Sequence, residues 1–216
     1  MPISLSQATA RQAALMLAIA VAMLAASGIE PHSRVDWLLE NALPAILLVG
    51  LVVGWRYLRL SASAYGAILA LLAIHELGAH YTYAKVPYEA WAQALADRSL
   101  NNALGWDRNQ YDRLVHLSYG VLFCLPLREV LQRCTPLRGM WLALLALNVV
   151  LSTSAMYELI EWVGGQYLGE DQAKAFLATQ KDPWDAQKDM ALAVFGACMT
   201  QAALQSKRWL GCRANV

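Results

Sequence analysis

The stretch Arg108–Arg128, RNQYDRLVHLSYGVLFCLPLR, constrains the fold of this chain more than any other. Only the eleven residues Leu117–Leu127 are uncharged between His116 and Arg128, whereas a helix needs roughly 20 residues to cross about 30 Å of hydrocarbon. A helix that spans here must draw Asp112, Arg113 and His116 into or against the bilayer. Positions four apart share a helix face, so Asp112 and His116 point together and Arg113 points elsewhere. Unpaired ionisable groups are costly at that depth, which makes this segment a functional-site candidate.

Composition supports a membrane setting. Hydrophobic residues make up 58% of the 216, charged residues 15%, and the mean hydropathy is +0.36, outside the usual range for a soluble domain. Six nearly uncharged runs stand out: Gln12–Ile29, Asn41–Trp55, Leu60–Ile74, Leu114–Leu127, Gly139–Tyr157 and Met190–Ser206. With interfacial flanks they predict spans near 12–29, 38–57, 60–81, 111–131, 139–163 and 186–206. The expected fold is an all-α polytopic transmembrane bundle, one integral domain over 1–216 with both termini on one side.

Charge orients the bundle. With the N-terminus inside, the inner segments hold Arg11, Arg56, Arg59, Arg128, Arg133, Arg138, Lys207, Arg208 and Arg213 against the single acid Glu129. That is nine bases against one acid, a net +8; the outer segments hold eight bases against fifteen acids, a net −7. The inner loops are short and basic, so the expected topology is N-in and C-in. Cys134 and Cys212 then fall in the cytoplasm and Cys124 and Cys198 within spans, with no structural disulfide expected.

Taken in order, the first run ends in Ala25-Ala26-Ser27. It is expected to be a retained signal anchor, though the same residues fit a cleavage site. The connection Glu30–Glu40 reads as a solvated loop. Gly50 and Gly54 form a small-xxx-small pattern, expected to pack within the monomer. Span three ends in IHELGAHYTY, where Glu76 and His80 share a face and His75 does not. The second His comes one residue too late for His-Glu-x-x-His, which excludes a zincin. Tyr88–Leu100 is expected to lie along the headgroups with Trp91 as anchor. Span five finishes as SAMYELIEWVGG, with Gly164-Gly165 expected to end the helix. The last outer loop carries a short amphipathic turn around Ala173–Leu177, and Asp182 before Pro183 reads as an N-cap.

Four helices thus deliver ligand-capable pairs to one interface: Glu76 with His80, Asp112 with His116, Glu158 with Glu161, and Asp185 with Asp189. This follows the logic of carboxylate-bridged metal sites in helical bundles. Acids so close together must bind metal, hold protons, or pair with Arg108, Arg113 and Lys188. A divalent cation, a network of protons and salt bridges, and a proton or solute path all stay open. Transport is disfavoured because spans one and two carry no buried charge and no inverted repeat is visible.

HELGAHYTY, RNQYDRLVHLSYGVLFCLPLREVLQR, YELIEWVGG and AFLATQKDPWDAQKDMALAVFGA together resemble the YjdF-type family of bacterial inner-membrane proteins, across about Ile74–Ala197. More distantly, Asp112-x-x-x-His116-x-x-Tyr119, Glu158 and Asp185-x-x-x-Asp189 are similar to VanZ-like proteins, which are associated with teicoplanin resistance. That second resemblance implies a shared helical bundle and an envelope role. Glu161 and Ala193 depart from its usual Gln and Asn.

The functional expectation is a metal-dependent hydrolase or transferase acting on a membrane lipid or a lipid-linked cell-wall substrate. Asp112, His116, Glu158 and Asp185 are the expected catalytic groups. Glu76, His80, His116, Glu158, Glu161, Asp185 and Asp189 are the expected metal ligands, with Arg108, Asn109, Arg113 and Tyr119 on the substrate. The alternative is a non-catalytic envelope protein that binds a headgroup, a cell-wall precursor or a glycopeptide antibiotic. No nucleic-acid partner is expected, and the sequence assigns neither the metal nor the oligomeric state.

Overall fold

The computed structural model describes residues 6–167 and 182–213, with side chains as far as Ser206 in the last helix. These residues form α1 (Ala10–Ser27), α2 (Arg34–Glu40), α3 (Ala42–Gly54), α4 (Ala62–Tyr81) and a 3-10 turn at Tyr83–Lys85. There follow α5 (Tyr88–Ala96), α6 (Leu100–Leu104), α7 (Tyr111–Cys134), α8 (Gly139–Tyr167) and α9 (Asp185–Arg213). Side-chain oxygens start several of them: Thr9 and Gln12 form a reciprocal capping box on α1, while Ser33, Ser61 and Ser99 cap α2, α4 and α6.

Among the described residues, five segments are long and apolar enough to cross a bilayer: Ala10–Ser27, Arg34–Gly54, Ala62–Tyr81, Tyr111–Cys134 and Gly139–Tyr167. The protein is an all-α polytopic bundle. The sixth expected span differs. At 29 residues α9 is on the order of 40 Å long, but Asp185, Lys188, Asp189 and Gln201 lower its apolarity below that of the other five. Three of these polar groups, Asp185, Asp189 and Gln201, are buried and turn inward, while Lys188 is exposed.

The tightest packing joins α7 and α9, which run in parallel. Asp112, His116, Gly120, Cys124 and Arg128 form one stripe of α7 at four-residue spacing, all buried. Asp189, Ala193, Ala197 and Gln201 form the facing stripe of α9, also buried. Where Gly120 meets Ala193 and Ala197 the backbones touch, and a Cβ at Gly120 would lie 1.9 Å from the Ala193 carbonyl oxygen. Below that crossing Arg128 donates to Gln201 Oε1, and Gln201 Nε2 donates to Cys124 Sγ at 3.3 Å. At this end Glu129 accepts from the Ser61 amide at 2.8 Å and the Ser61 hydroxyl at 2.5 Å, fixing the start of α4 against the end of α7. Removing the buried carboxylate in Glu129→Ala orphans both donors, at about 1–3 kcal/mol. A clear fall in melting temperature is expected in detergent, with Glu129→Gln milder.

Several expectations need correction. Glu30–Glu40 is not a solvated loop: Arg34–Glu40 is helical, with Asp36 and Glu40 buried. The second span breaks at Asn41 and ends at Gly54, short of the expected 57. Gly50 and Gly54 do not pack within the monomer, since a Cβ at Gly50 meets nothing within 4 Å and one at Gly54 meets only Leu58. Tyr88–Leu100 is not one continuous helix: α5 ends at Ala96, closed by the left-handed φ of 50° at Asp97, and α6 begins only at Leu100. Gly164-Gly165 does not stop α8, which continues to Tyr167. The last helix is regular only from Asp185, although Asp182 accepts from the Trp184 amide as an N-cap residue does. Of the thiols, Cys124 is buried as expected, but Cys198 faces outward. The turn expected around 173–177 lies outside the described residues.

Candidate functional site

At one end of the bundle the chain brings together the first turns of α7 and α9 with the last turns of α4 and α8. His116 is central. Its Nε2 lies 3.7 Å from Asp112 Oδ1, one turn earlier on α7, and 3.6 Å from Glu158 Oε1 on α8. One donor atom from each of Asp112, His116 and Asp189 lies within 4.8 Å of the other two. The three residues are 8%, 7% and 2% exposed. Asp189 Oδ1 and Glu158 Oε1 are buried and accept no hydrogen bond. A desolvated carboxylate oxygen without a donor is costly, so such a pair calls for a cation, a proton or ordered water.

The helix crossing explains the convergence. Because Gly120 and Gly196 let α7 and α9 touch, the residues one and two turns above Gly120 on α7, His116 and Asp112, are brought against those one and two turns above Ala193 on α9, Asp189 and Asp185. Glu158 and Glu161 come from α8, Glu161 being buried and within electrostatic range of Asp112, Glu40, Glu158 and Asp189. Tyr157 stands edge-on to His116 with ring centroids 6.1 Å apart.

Sequence reasoning missed a fifth contributor, the short helix α2. The Tyr157 hydroxyl donates to Glu40 Oε2 at 2.5 Å, and Asp36 lies one turn before Glu40, buried with Oδ1 unpartnered. The other face of α2 reaches α1 and α4. Trp37 Nε1 donates to Ser27 Oγ at 2.9 Å, and Ser27 contacts Glu76 Oε2. Two signals could have revealed α2: Asp36 and Glu40 are four apart, and Ser33 precedes Asp36 by the spacing of an N-cap. With Asp36 and Glu40 buried, the absence of buried charge in the second span no longer argues against a solute path.

The other expected residues have defined partners. Glu76 is buried against Ser27, and His80 Nδ1 donates to the Ser27 carbonyl at 2.9 Å. This pair therefore ties α4 to α1, beside the imidazole–carboxylate group rather than in it. Asp185 accepts from Arg108 and lies 3.5 Å from Arg113, so it is an ion-pair partner at the rim. Asn109 braces the loop before α7: its Nδ2 donates to the Val86 carbonyl and its Oδ1 accepts from the Tyr111 amide, both at 2.9 Å. Tyr119 is hydrogen-bonded to Thr153 at 2.5 Å, deeper along α7. His75, set aside in the sequence for facing away from His80, is hydrogen-bonded through Nδ1 to the Tyr83 hydroxyl at 2.5 Å.

An ionic rim overlies the acids. Arg113 and Lys188 both donate to Asp182 Oδ2 at 2.5 Å, and Arg113 also donates to Gln110 at 3.0 Å. The Lys188 ammonium first, then the Trp184 amide and the Arg113 charge, hold the Asp182 carboxyl at about 2, below its ordinary value. Elsewhere, a cleft of about 240 Å³ opens between α1, α3 and α4, lined by Leu17, Leu51, Trp55, Tyr65 and Ile68 among others. It is apolar and lies toward the far end from the acid–imidazole group.

These features define a multi-pass α-helical membrane protein with a buried acid–imidazole cluster beneath an ion-paired rim. Comparison with known proteins gives the family. Residues 12–208 match the family described as "Predicted membrane protein (DUF2238)". The chain is also 39% identical over 176 residues to the inner membrane protein YjdF of Escherichia coli strain K12, covering 81% of this chain and 79% of that protein. The chain belongs to this membrane protein family. No solved structure matches it.

Proposed function

We propose that the protein holds a divalent cation at Asp112, His116 and Asp189, with Glu158 as a fourth donor. We further propose that it uses the cation for hydrolysis or group transfer on a lipid or lipid-linked envelope substrate. The supporting observation is the buried convergence of those three side chains within 4.8 Å. Oxygen and nitrogen ligands at bonds of about 2.0–2.2 Å stand roughly 3.0–3.5 Å apart around one ion, so closure takes small side-chain movements. One imidazole with carboxylates suits manganese, iron or zinc better than a soft-metal site. Bound there, such an ion polarises an ester or phosphoester oxygen and makes a coordinated water nucleophilic near neutral pH.

The charge pattern supports N-in, C-in insertion in the inner membrane, with the acidic end outward. Exposed Trp106, Trp162 and Trp184 surround that end and suit headgroup level. Substrate would then enter from the outer leaflet. The test is elemental analysis of protein purified in detergent without chelator, with an activity screen on lipid extracts. About one cation per chain is expected in the native protein and none in His116→Ala, with turnover lost as well. A metal-free native protein whose His116→Ala variant keeps full biological activity would overturn the reading.

One observation favours a binding protein without turnover, the role that the VanZ-like resemblance implies. Arg108 and Arg113 already engage Asp185 and Asp182, as in a closed receptor awaiting an anion. That reading expects saturable binding of a headgroup or cell-wall precursor and tolerance of Asp185→Glu.

A further inference from the structure

The ionic rim contains a feature that the cation cluster does not require. Three donors surround the Asp182 carboxylate: Arg113 Nη2 and Lys188 Nζ reach Oδ2 at 2.5 Å, and the Trp184 amide reaches Oδ1 at 3.1 Å. A residue that merely starts a helix needs the amide alone. A guanidinium, an ammonium and a backbone N–H before a helix are the elements of a phosphate site. Arg113 adds a second indication. Its Nε is buried and makes no hydrogen bond, although Nη1 and Nη2 are both used. A planar carboxylate in this position leaves half of the guanidinium fork idle. A tetrahedral phosphate can take Nε and Nη2 together and still reach Lys188.

We propose that Asp182 is an internal surrogate in a phosphate-binding cradle made by Arg113, Lys188 and the Trp184 amide, which a phosphate monoester or diester fills by displacing the carboxylate. The cradle can be reached from outside: the Lys188 side chain is 48% exposed and that of Arg113 23%, and exposed Trp184 adjoins it. Arg113 links it inward to Asp185, one helical turn from Asp189. Displacing Asp182 places a phosphate directly above the acid–imidazole group. What the phosphate is bound for rests on the proposed function; the binding itself does not require the cation.

Full-length protein in detergent tests this by titration with inorganic phosphate and, separately, with micelles of phosphatidic acid or phosphatidylcholine. Asp182→Ser removes the competing charge but keeps an oxygen for the Trp184 amide. The expected result is at least a tenfold gain in phosphate affinity over the native protein, and loss of that gain in Asp182→Ser combined with Arg113→Gln and Lys188→Gln. Equal gains for inorganic phosphate and phosphatidic acid point to the anion itself. A gain confined to the micelles points to a lipid headgroup, and either result supports the cradle. Unchanged or weaker binding in Asp182→Ser, with Arg113→Gln alone also without effect, would overturn it and make Asp182 a brace for α9. Metal content measured on the same samples separates the two ideas, because a metal-free protein that still shows the gain keeps the cradle and loses the cation.

Discussion

Gly120→Leu is expected to leave no stably folded bundle, and Gly120→Ala to lower the melting temperature sharply. A Cβ at position 120 would lie 1.9 Å from the Ala193 oxygen, 2.8 Å from its carbonyl carbon and 2.9 Å from the Ala197 nitrogen. All three are backbone atoms of α9, so no rotamer relieves the clash and the helices must separate. Gly196 repeats the constraint, 2.5 Å from the Leu117 oxygen and 2.8 Å from the Val121 nitrogen. Overpacking typically costs about 1–3 kcal/mol, and a backbone-to-backbone clash belongs at or above the top of that range. The separation also opens the acid–imidazole group, since Asp112 and His116 lie two turns and one turn above Gly120 on the same stripe. Gly50→Ala is the control. Nothing lies within 4 Å of its Cβ and alanine favours helix, so stability should hold or rise slightly. Thermal unfolding in detergent followed by far-UV circular dichroism reads both, and equal curves for Gly120→Ala and Gly50→Ala would refute the account of the crossing.

That crossing shows why much of the site was legible in the sequence. Asp112 with His116 and Asp185 with Asp189 are four apart on helices that had to be long, so their shared faces followed from helical periodicity alone. What periodicity could not supply was the depth of approach, which depends on Gly120 and Gly196 sitting opposite backbone rather than side chains. It also could not rank the pairs. Glu76 and His80 have the same spacing as Asp112 and His116, yet Ser27 engages both, because α1 packs on that part of α4. Asp185 is taken by Arg108, which comes from a loop whose course the sequence does not fix. The largest omission was α2. Seven residues are too few for an apolar run to announce a helix, and Glu30 and His32 before them, with Arg34 at their start, suggest solvent. Its burial is tertiary: Trp37 reaches Ser27 on α1, and Glu40 reaches Tyr157 on α8, 117 residues away. The polar groups of the sixth expected span follow the same rule, since Asp185, Asp189 and Gln201 of α9 are buried by tertiary packing rather than turned to lipid.

Asp189→Asn is expected to abolish cation binding while making the metal-free protein more stable, and the opposite signs carry the information. Asp189 is 2% exposed, with Oδ1 unpartnered, close to Asp112 and His116. In a metal-free protein its carboxylate adds like charge to Asp112 and Glu158 in a medium that screens poorly, so the neutral amide removes repulsion at nearly constant volume. A site shaped for a ligand keeps such strain because the ligand relieves it. With a cation at a thousand times its dissociation constant, binding to the folded state alone contributes about 4 kcal/mol. The native protein should therefore gain several degrees in melting temperature on adding manganese or zinc after chelator treatment, and Asp189→Asn should gain none. Were the cluster instead a structural network of salt bridges, the amide would break it. Metal-free Asp189→Asn would then melt below the native protein, and neither would respond to the ion.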